Sequence, residues 1–247
     1  MIIHEKPFFV NTPKTKGIYN MKITWLGQAG LLLETENATV IVDPYLSDSV
    51  EKIQPQNYRR VAVDKRFLDI KPDLLLFTHV HLDHYDTETA PVYLASDKKM
   101  TVLCPNSVWS EARKNGGVHN YVCFDRGTVW TEKGLRFTAV MATHSDFSAI
   151  GIIIEDLSDG KKYYITGDTL YNHGIFSDLP EDLYAIFMPI NGVGNNMNAT
   201  DAADFAKRSG AKYAVPLHFG MFDELSPEIF KAENRVIPTV YEEIKFN

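Results

Sequence analysis

The sequence predicts an α/β fold in which helices and mixed sheets form the layers of a sandwich. Three observations support this fold class. Runs rich in β-branched residues recur in both halves of the 247-residue chain, helix-like segments lie between them, and the 45% of apolar residues is enough for a large core. No repeat or linker divides the sequence. We therefore predict one domain over residues 1–247, with residues 1–20 as an extension before the first strand.

The strand predictions rest on short runs with alternating or continuous apolar residues. In the first half these runs are Met21–Leu26, Leu31–Glu34, Thr39–Val42 and Leu74–Thr78. In the second half they are Arg136–Met141, Ile150–Glu155, Lys162–Thr166, Tyr184–Pro189 and Lys212–Leu217. Ser158-Asp159-Gly160 is typical of a hairpin turn between two of these strands.

Helices are predicted between the strands, two of them from capping signals. Thr200 is the predicted N-cap of a helix over Asp201–Ser209, and Gly210 is expected to end it. Ser226, with Pro227 after it, is the predicted start of another helix. Two further helices are predicted over Thr87–Ala95 and Asn106–Lys114.

Composition and charge disfavour several classes of protein. The net charge of -7 disfavours nonspecific binding of nucleic acid, which needs a basic surface. No apolar run approaches the roughly 20 residues that span a bilayer, and the N-terminus lacks the pattern of a secretion signal. Cys104 and Cys123 have no metal-binding spacing and are predicted to be reduced thiols. We expect a cytoplasmic protein with a small-molecule substrate and no nucleic-acid or membrane partner; homo-oligomerisation stays open.

The segment Thr78–His84 carries the strongest chemical signal. It reads T-H-V-H-L-D-H and begins where the buried run Leu74–Phe77 ends. A loop after a strand can point several imidazoles at one spot, where they bind a borderline metal such as zinc. Asp83 adds a carboxylate oxygen beside His84, so the segment can contribute to two adjacent ions. The alternative, a set of surface or capping histidines, is disfavoured by the density of the pattern.

Three further candidate ligands each follow a predicted strand, directly or within a few residues. They are His144, Asp168 and His218. Polar residues at the C-terminal ends of several strands can meet at one edge of a layered sheet. Taken alone, each residue is explained equally well as a buried, hydrogen-bonded side chain or as a turn residue. Together with the histidine-rich segment they predict a metal centre.

These motifs resemble those of the metallo-β-lactamase superfamily over nearly all of residues 21–230. Met21–Glu34 with Ile41-Val42-Asp43-Pro44 is similar to the opening strands of that family, T-H-x-H-x-D-H to its first motif, and Gly167-Asp168-Thr169 to its bridging aspartate. The resemblance implies a four-layer αββα sandwich. It also implies that one metal is bound by His79, His81 and His144 and a second by Asp83, His84 and His218, with Asp168 between them.

A narrower resemblance is to the L-ascorbate-6-phosphate lactonase-like branch of metal-dependent hydrolases. It rests on three segments: the run V-D-P-Y-L-S-D from Val42, the stretch from Pro55 and Arg59 to Ile70-Lys71-Pro72-Asp73, and Met197–Ala203 leading to Pro216-Leu217-His218-Phe219-Gly220. This likeness implies a branch of the superfamily and leaves the substrate open.

The predicted chemistry is hydrolysis by a hydroxide that bridges two divalent ions. Two metals lower the pKa of a shared water molecule to about 7, and one of them polarises the substrate oxygen. Asp83 is the predicted proton shuttle. Tyr171 and His173, shortly after Asp168, are predicted to contact substrate or assist the shuttle, although packing for Tyr171 and a plain loop position for His173 explain them as well.

Two polar segments are candidates for substrate binding. Arg59 and Arg60, within the basic stretch Ser47–Arg66, are predicted to hold an anionic group, with a solvated loop as the alternative. Asn191 begins the run N-G-V-G-N-N-M-N, which is either a rim of the site or a connecting turn.

The sequence therefore predicts a metal-dependent hydrolase of a small ester, lactone or phosphorylated substrate. The alternatives are a phosphodiesterase or nuclease of the same fold and a metal-binding module without turnover. All seven candidate ligands are present, which favours an enzyme, and the acidic balance disfavours a nuclease. Zinc suits five imidazoles and two carboxylates best, with manganese or iron as the other options.

Overall fold

Two six-stranded sheets form the framework of the chain in this computed structural model, which describes residues 20–246. The predicted N-terminal extension lies outside the described residues except for Asn20. The first sheet contains β1 (Lys22–Gly27), β2 (Gly30–Glu34), β3 (Thr39–Val42), β4 (Leu74–Leu76), β5 (Thr101–Cys104) and β6 (Asn120–Cys123), in that spatial order. The second contains β7 (Val129–Glu132), β8 (Leu135–Met141), β9 (Ile150–Asp156), β10 (Lys162–Ile165), β11 (Leu183–Pro189) and β12 (Tyr213–Leu217), again neighbours in sequence order.

Both sheets mix antiparallel and parallel pairs, as predicted. In the first sheet β1, β2 and β3 pair antiparallel, and β3 to β6 pair parallel. In the second sheet β7 to β10 pair antiparallel, and β10 to β12 pair parallel. Since parallel neighbours end on the same side, each sheet presents the C-terminal ends of several strands along one edge.

The fully buried strand β4 shows how the layers pack, because its successive side chains point to opposite faces of the sheet. Leu76 belongs to a core cluster that also contains Phe137 of the second sheet. Leu75 belongs to a separate cluster with Tyr93 of helix α2 (Thr89–Leu94). One face of the first sheet therefore meets the second sheet, and its other face meets helices.

Helix α4 (Ala199–Ser209) covers the outer face of the second sheet and packs against β11. Phe205 on this helix is fully buried in the core cluster. The resulting order of layers is helix, sheet, sheet, helix, which confirms the predicted sandwich.

The cap of α4 corrects one prediction. Its N-cap is Asn198, not Thr200, because the Asn198 Oδ1 atom accepts hydrogen bonds from the backbone N–H groups of Thr200 and Asp201, both at 2.9 Å. An asparagine side chain accepts hydrogen bonds from the free N–H groups of the first helical turn as well as a threonine does. The helix therefore begins two residues earlier than predicted. Gly210 ends the helix in a left-handed conformation, as predicted.

The helix predicted to start at Ser226 is wrong. The capping signal is real, since the Ser226 hydroxyl accepts from the N–H of Glu228, but only a single 3₁₀ turn follows, over Pro227–Ile229. Phe230 has an extended backbone and a fully buried ring. Tertiary packing of this ring therefore overrides the local preference for a helix.

The other predicted helices form with shorter bounds. Helix α2 has the bounds given above, and α3 spans Asn106–Ala112, with a 3₁₀ turn over Arg113–Asn115 after it. A short helix not predicted from sequence, α1 (Ser49–Ile53), and 3₁₀ turns over Lys65–Phe67 and His173–Asp178 complete the helical elements of the described chain. Among residues 20–246, no helix has the length and apolar character that crossing a membrane requires.

Candidate metal centre

The seven candidate ligands converge where strands of both sheets end. Four of them lie in the loop after β4, and the other three follow β8, β10 and β12. Their donor atoms form three overlapping groups, and within each group all atoms lie within 4.8 Å of one another. The groups are His79 with His81 and His144, His79 with His84 and Asp168, and Asp83 with His84 and His218.

The first group consists of three imidazoles that face one another. The Nδ1 atom of His81 lies 3.0 Å from the Nε2 atom of His144. The ring of His79 has its centroid 4.7 Å from those of both other rings. His79 is fully buried, while His81 and His144 are partly exposed. Three ring nitrogens at this spacing suit a tetrahedral ion that keeps one position open to the solvent side.

The other two groups place carboxylates between imidazoles. The Asp83 Oδ2 atom lies 3.1 Å from His218 Nε2 and 3.9 Å from His84 Nε2. The two oxygens of Asp168 face different rings, with Oδ1 at 3.2 Å from His84 Nε2 and Oδ2 at 3.4 Å from His218 Nε2. Asp168 therefore lies at the junction of the groups.

Hydrogen bonds hold the histidines so that particular nitrogens face the centre. The Nδ1 atom of His84 lies 2.9 Å from the carboxylate of Asp43, and that of His144 lies 3.3 Å from the carbonyl oxygen of Asn195. Each contact requires Nδ1 to carry the proton, which leaves Nε2 as a lone-pair donor. The Nδ1 atom of His79 is likewise 3.1 Å from the Thr78 hydroxyl.

Three buried atoms of the candidate ligands have no hydrogen-bond partner: His79 Nε2, His84 Nε2 and Asp168 Oδ1. His84 Nε2 and Asp168 Oδ1 are close, but the contact lacks hydrogen-bond geometry. An orphaned buried polar atom costs about 1–3 kcal/mol, and more if it is charged. These atoms all belong to one of the groups above, so the donor set fits divalent metal ions.

The pKa values of the histidines and aspartates also fit a centre that binds divalent metal ions. Burial lowers the pKa of His79 well below its usual value, and the charge of His84 lowers it further. Burial acts in the same direction at His84 and His218, but the carboxylates around them, Asp168 first, raise both pKa values, that of His218 to about 9. Burial would raise the pKa of Asp83 and Asp168, but the neighbouring imidazoles hold both below the usual range. The carboxylates thus require compensating positive charge, which a metal ion would provide.

The backbone around the centre adopts left-handed conformations that residues other than glycine rarely take. Gln28, Asp43 and His218 have φ angles of 50°, 43° and 62°. At Gly167, next to Asp168, φ is 60°, and a Cβ atom there would lie 2.9 Å from the carbonyl oxygen of Ile150. Such conformations cost about 1–3 kcal/mol each and cluster at functional sites.

A cavity of about 550 Å³ opens directly beside these ligands. Its lining includes His81, Asp83, Asp168 and His218. A space of this volume accommodates a small organic molecule.

The remaining predicted site residues lie in different places. Asn191 lines the cavity, with its amide nitrogen 2.9 Å from His218 Nδ1. Tyr171 packs edge-on against the ring of Phe205, and His173 lies with Nδ1 2.8 Å from the guanidinium of Arg208. The structure thus does not place Tyr171 or His173 against the cavity.

The two arginines of the predicted anion clamp contact protein groups. The Arg59 guanidinium donates to the carbonyl oxygen of Tyr45 at 2.7 Å and to the Tyr241 hydroxyl at 3.0 Å. Arg60 forms an ion pair with Glu224 at 3.1 Å. Neither side chain lines the cavity.

Three residues at the centre were not predicted as site residues. The carboxylate of Asp43 accepts from the Thr78 backbone N–H at 2.8 Å and from its hydroxyl, besides contacting His84. The amide of Gln28 donates to Asp83 Oδ2, and that of Asn196 donates to Asp168 Oδ2, both at 2.8 Å. Asp43 follows a buried strand just as Asp168 does, and this signal could have identified it.

A two-sheet sandwich with histidines and aspartates at one edge defines the metallo-β-lactamase class of proteins. Accordingly, a family profile described as "Beta-lactamase superfamily domain" matches residues 38–219. Relatives include a UPF0173 metal-dependent hydrolase of Thermoplasma acidophilum, which is 31% identical over 229 residues that cover 86% of this chain and 90% of the relative. Another, from Ligilactobacillus salivarius, is 30% identical and covers 85% and 90% of the two chains. The chain belongs to this superfamily and, within it, to the UPF0173 metal-dependent hydrolases.

Solved structures share the fold at lower sequence identity. Igni18, a metallo hydrolase from Ignicoccus hospitalis, matches with a TM-score of 0.70 at 20% identity over 92% of this chain and 98% of its own. An isothiocyanate hydrolase from Delia radicum gut bacteria matches with a TM-score of 0.68 at 19% identity over 92% and 99%. These likenesses confirm the metallo-β-lactamase fold.

Proposed function

We propose that this metal-dependent hydrolase uses two divalent ions to hydrolyse a small ester or lactone. The observation that supports the proposal most strongly is the convergence of seven ligands in three overlapping groups, with orphaned donor atoms, beside a cavity of about 550 Å³. When bound, the ions would lower the pKa of a water molecule to about 7 and polarise the substrate oxygen. Zinc suits the imidazole-rich set best.

The ligands divide between the two ions by their grouping. His79, His81 and His144 would hold one ion. Asp83, His84 and His218 would hold the other. Asp168 faces both sets through the group it forms with His79 and His84.

Asp83 is the proposed proton carrier. It lines the cavity and groups only with ligands of one proposed ion, His84 and His218, whereas the group of Asp168 joins a ligand of each ion, His79 and His84. Its pKa is held below the usual range by the neighbouring imidazoles, so it is ionised at neutral pH and can accept a proton. Gln28 donates to its Oδ2 atom and fixes the orientation of the carboxylate. The proton would pass from Asp83 to the leaving group.

Loading the protein with zinc and screening lactones, carboxylic esters, phosphomonoesters and phosphodiesters tests the proposal. We expect turnover of a lactone or ester that a chelator abolishes and added zinc restores. A lactonase within the ascorbate-phosphate branch is the narrower form of the proposal, and preference for a phosphorylated lactone would support it. Absence of hydrolysis by a fully loaded protein on all four classes would overturn the enzymatic role and leave a metal-binding module.

A further inference from the structure

Several apolar side chains line the cavity together with the metal ligands. Apart from Leu82 in the histidine-rich loop, they come from three separate segments: Val50 and Ile53 of helix α1, Val193 of the loop after β11, and Phe219, Met221 and Phe222 after β12. Side chains from segments so far apart in sequence thus line a single space. An apolar surface of this kind binds the hydrocarbon part of a ligand.

Two of these apolar side chains are largely exposed to water, which is energetically unfavourable for the unbound protein. Ile53 is 72% exposed and Val193 is 68% exposed, and they come from two different segments of the lining. Exposed apolar side chains are common singly, but a pair that lines the same cavity indicates a contact surface. A ligand with an apolar portion would remove both from water.

Apart from the metal ligands, the polar side chains that line the cavity are uncharged or acidic. Gln54, Asn57 and Asn195 contribute amides, and Asp223 contributes a carboxylate whose Oδ1 atom accepts from the backbone N–H groups of Gly220 and Leu225 at 3.0 Å. Amides bind neutral carbonyl and hydroxyl groups, and a carboxylate repels an anion.

Four of the basic side chains in the segment before the histidine-rich loop contact protein groups. Lys52 pairs with Glu88 at 2.5 Å and Arg66 with Asp64 at 2.5 Å. Arg59 and Arg60 make the contacts described above with Tyr45, Tyr241 and Glu224. The lining of the cavity contains no lysine or arginine from the described chain, so the basic side chains predicted to bind a phosphate or carboxylate group do not reach it.

We propose that the substrate is an electrically neutral ester or lactone with an apolar chain or ring, which packs against Ile53 and Val193 while its carbonyl faces the metal ligands. The inference rests on the proposed function and names its substrate class. The carbonyl carbon would be attacked near Asp83, Asp168 and His218, the part of the lining that carries ligands. The apolar portion would extend away from them toward helix α1.

The test measures binding separately from turnover. Acetyl, butanoyl, hexanoyl and octanoyl hydroxamic acids, which are uncharged when free and bind zinc through the hydroxamate group, are titrated calorimetrically into the zinc-loaded protein. Since each added methylene leaves water, we expect the dissociation constant to fall about 3-fold per methylene up to hexanoyl. A hexanoyl analogue with a terminal carboxylate is expected to bind at least about 10-fold more weakly than the uncharged compound, because the lining offers it an acid and amides.

The double variant Ile53→Ser/Val193→Ser is expected to lower the gain per methylene to below about 1.5-fold. Ile229→Ser is the matched control, since Ile229 is 47% exposed but does not line the cavity, and it should keep the wild-type gain. A wild-type affinity that does not change with chain length, tighter binding of the carboxylate-ended compound, or no binding of any member would overturn the inference.

Turnover of the matching esters separates this inference from the proposed function. A clear gain of affinity with chain length but no hydrolysis of any ester would refute the enzymatic role and support the neutral, apolar ligand class. Hydrolysis with kcat/KM independent of chain length would support the enzymatic role and refute the ligand class.

Discussion

The two sheets supply the candidate ligands in different ways. The first sheet contributes four of them, His79, His81, Asp83 and His84, from one loop after β4. The second contributes one from each of three strand ends, after β8, β10 and β12. Ligands from one loop depend on the local conformation of that loop, whereas ligands from three strands depend on the pairing of the whole sheet. In the sequence, the first arrangement is visible as a dense motif, whereas the second is visible only as isolated polar residues.

The two sets are also held by different kinds of partner. In the first sheet the fully buried carboxylate of Asp43 fixes Thr78 and His84. In the second, the loop after β11 provides the contacts: the amide of Asn196 holds Asp168, and the carbonyl of Asn195 holds His144. A buried charged partner at the end of a strand gives stronger orientation than neutral groups on a loop.

The largest expected effect is loss of one imidazole from either set. His81→Ala from the first sheet and His144→Ala from the second should each remain folded, because both side chains lie in loops outside the core clusters. Each should lower kcat/KM by at least about 10³-fold, since the ion they share in the proposal is lost. Circular dichroism checks the fold, and turnover on a substrate from the screen measures the effect. Wild-type activity in one variant alone would show that the substituted histidine is not a ligand of the reactive centre.

A smaller and unequal effect is expected at the residues that hold the ligands. Asp43→Asn should weaken metal binding by roughly 100-fold and Asn196→Ala by roughly 10-fold, the two ends of the range for such partners. The difference follows from the charge of Asp43 and its three contacts, against one contact between Asn196 and Asp168. Competition with a chromophoric chelator gives both constants. Equal or reversed losses would contradict the comparison between the sheets.

The smallest expected effect concerns the pH dependence of the metal-free protein. The pKa of His218 is raised to about 9 in the folded chain, and that of His84 is raised well above its usual value. The folded state therefore binds protons that the unfolded state, with histidine pKa values near 6.5, releases in this window. Stability from these groups is fully present below about pH 6.5 and falls as the pH rises toward 9.

Thermal unfolding of chelator-treated protein between pH 6.5 and 9 measures this dependence. We expect the midpoint to fall by about 5 °C or more across that range and the zinc-loaded protein to change less, because metal ions replace the protons. A midpoint that rises with pH in the metal-free protein would contradict the assigned charge balance.

The sequence predicted the parts of the molecule that are determined locally. The strands β1 to β4 and β8 to β12, and the helix α4, follow from buried or alternating runs and from a glycine stop at Gly210. Strands β5, β6 and β7 were missed; β6 and β7 are partly exposed strands whose residues offer no strong apolar pattern. Strands β6 and β7 form because they pair with β5 and β8. Such pairing with other strands cannot be inferred from short-range sequence patterns.

The candidate site divides in the same way. The histidine-rich loop was predictable because its residues are adjacent, and the structure brings the seven proposed ligands together. The substrate side was not predictable, because Arg59 and Arg60 reveal their partners Tyr45 and Glu224 only in three dimensions. Gln28 likewise meets Asp83 across 55 residues of sequence. The narrower resemblance to the lactonase branch stays a prediction.

The central claim, two ions bridged by Asp168, is tested most directly by elemental analysis of wild type and Asp168→Asn across a zinc titration. A carboxylate can give one oxygen to each of two metals about 3.5–4 Å apart, and an amide nitrogen is not a competent ligand. We predict close to two zinc ions per wild-type chain, and in the variant a second ion bound at least about 10-fold more weakly, with hydrolysis partly restored by excess zinc. Asp83→Asn, altered at the proton carrier, should not be restored by zinc. Only trace loading of wild type, or equal occupancy in wild type and Asp168→Asn, would contradict the claim.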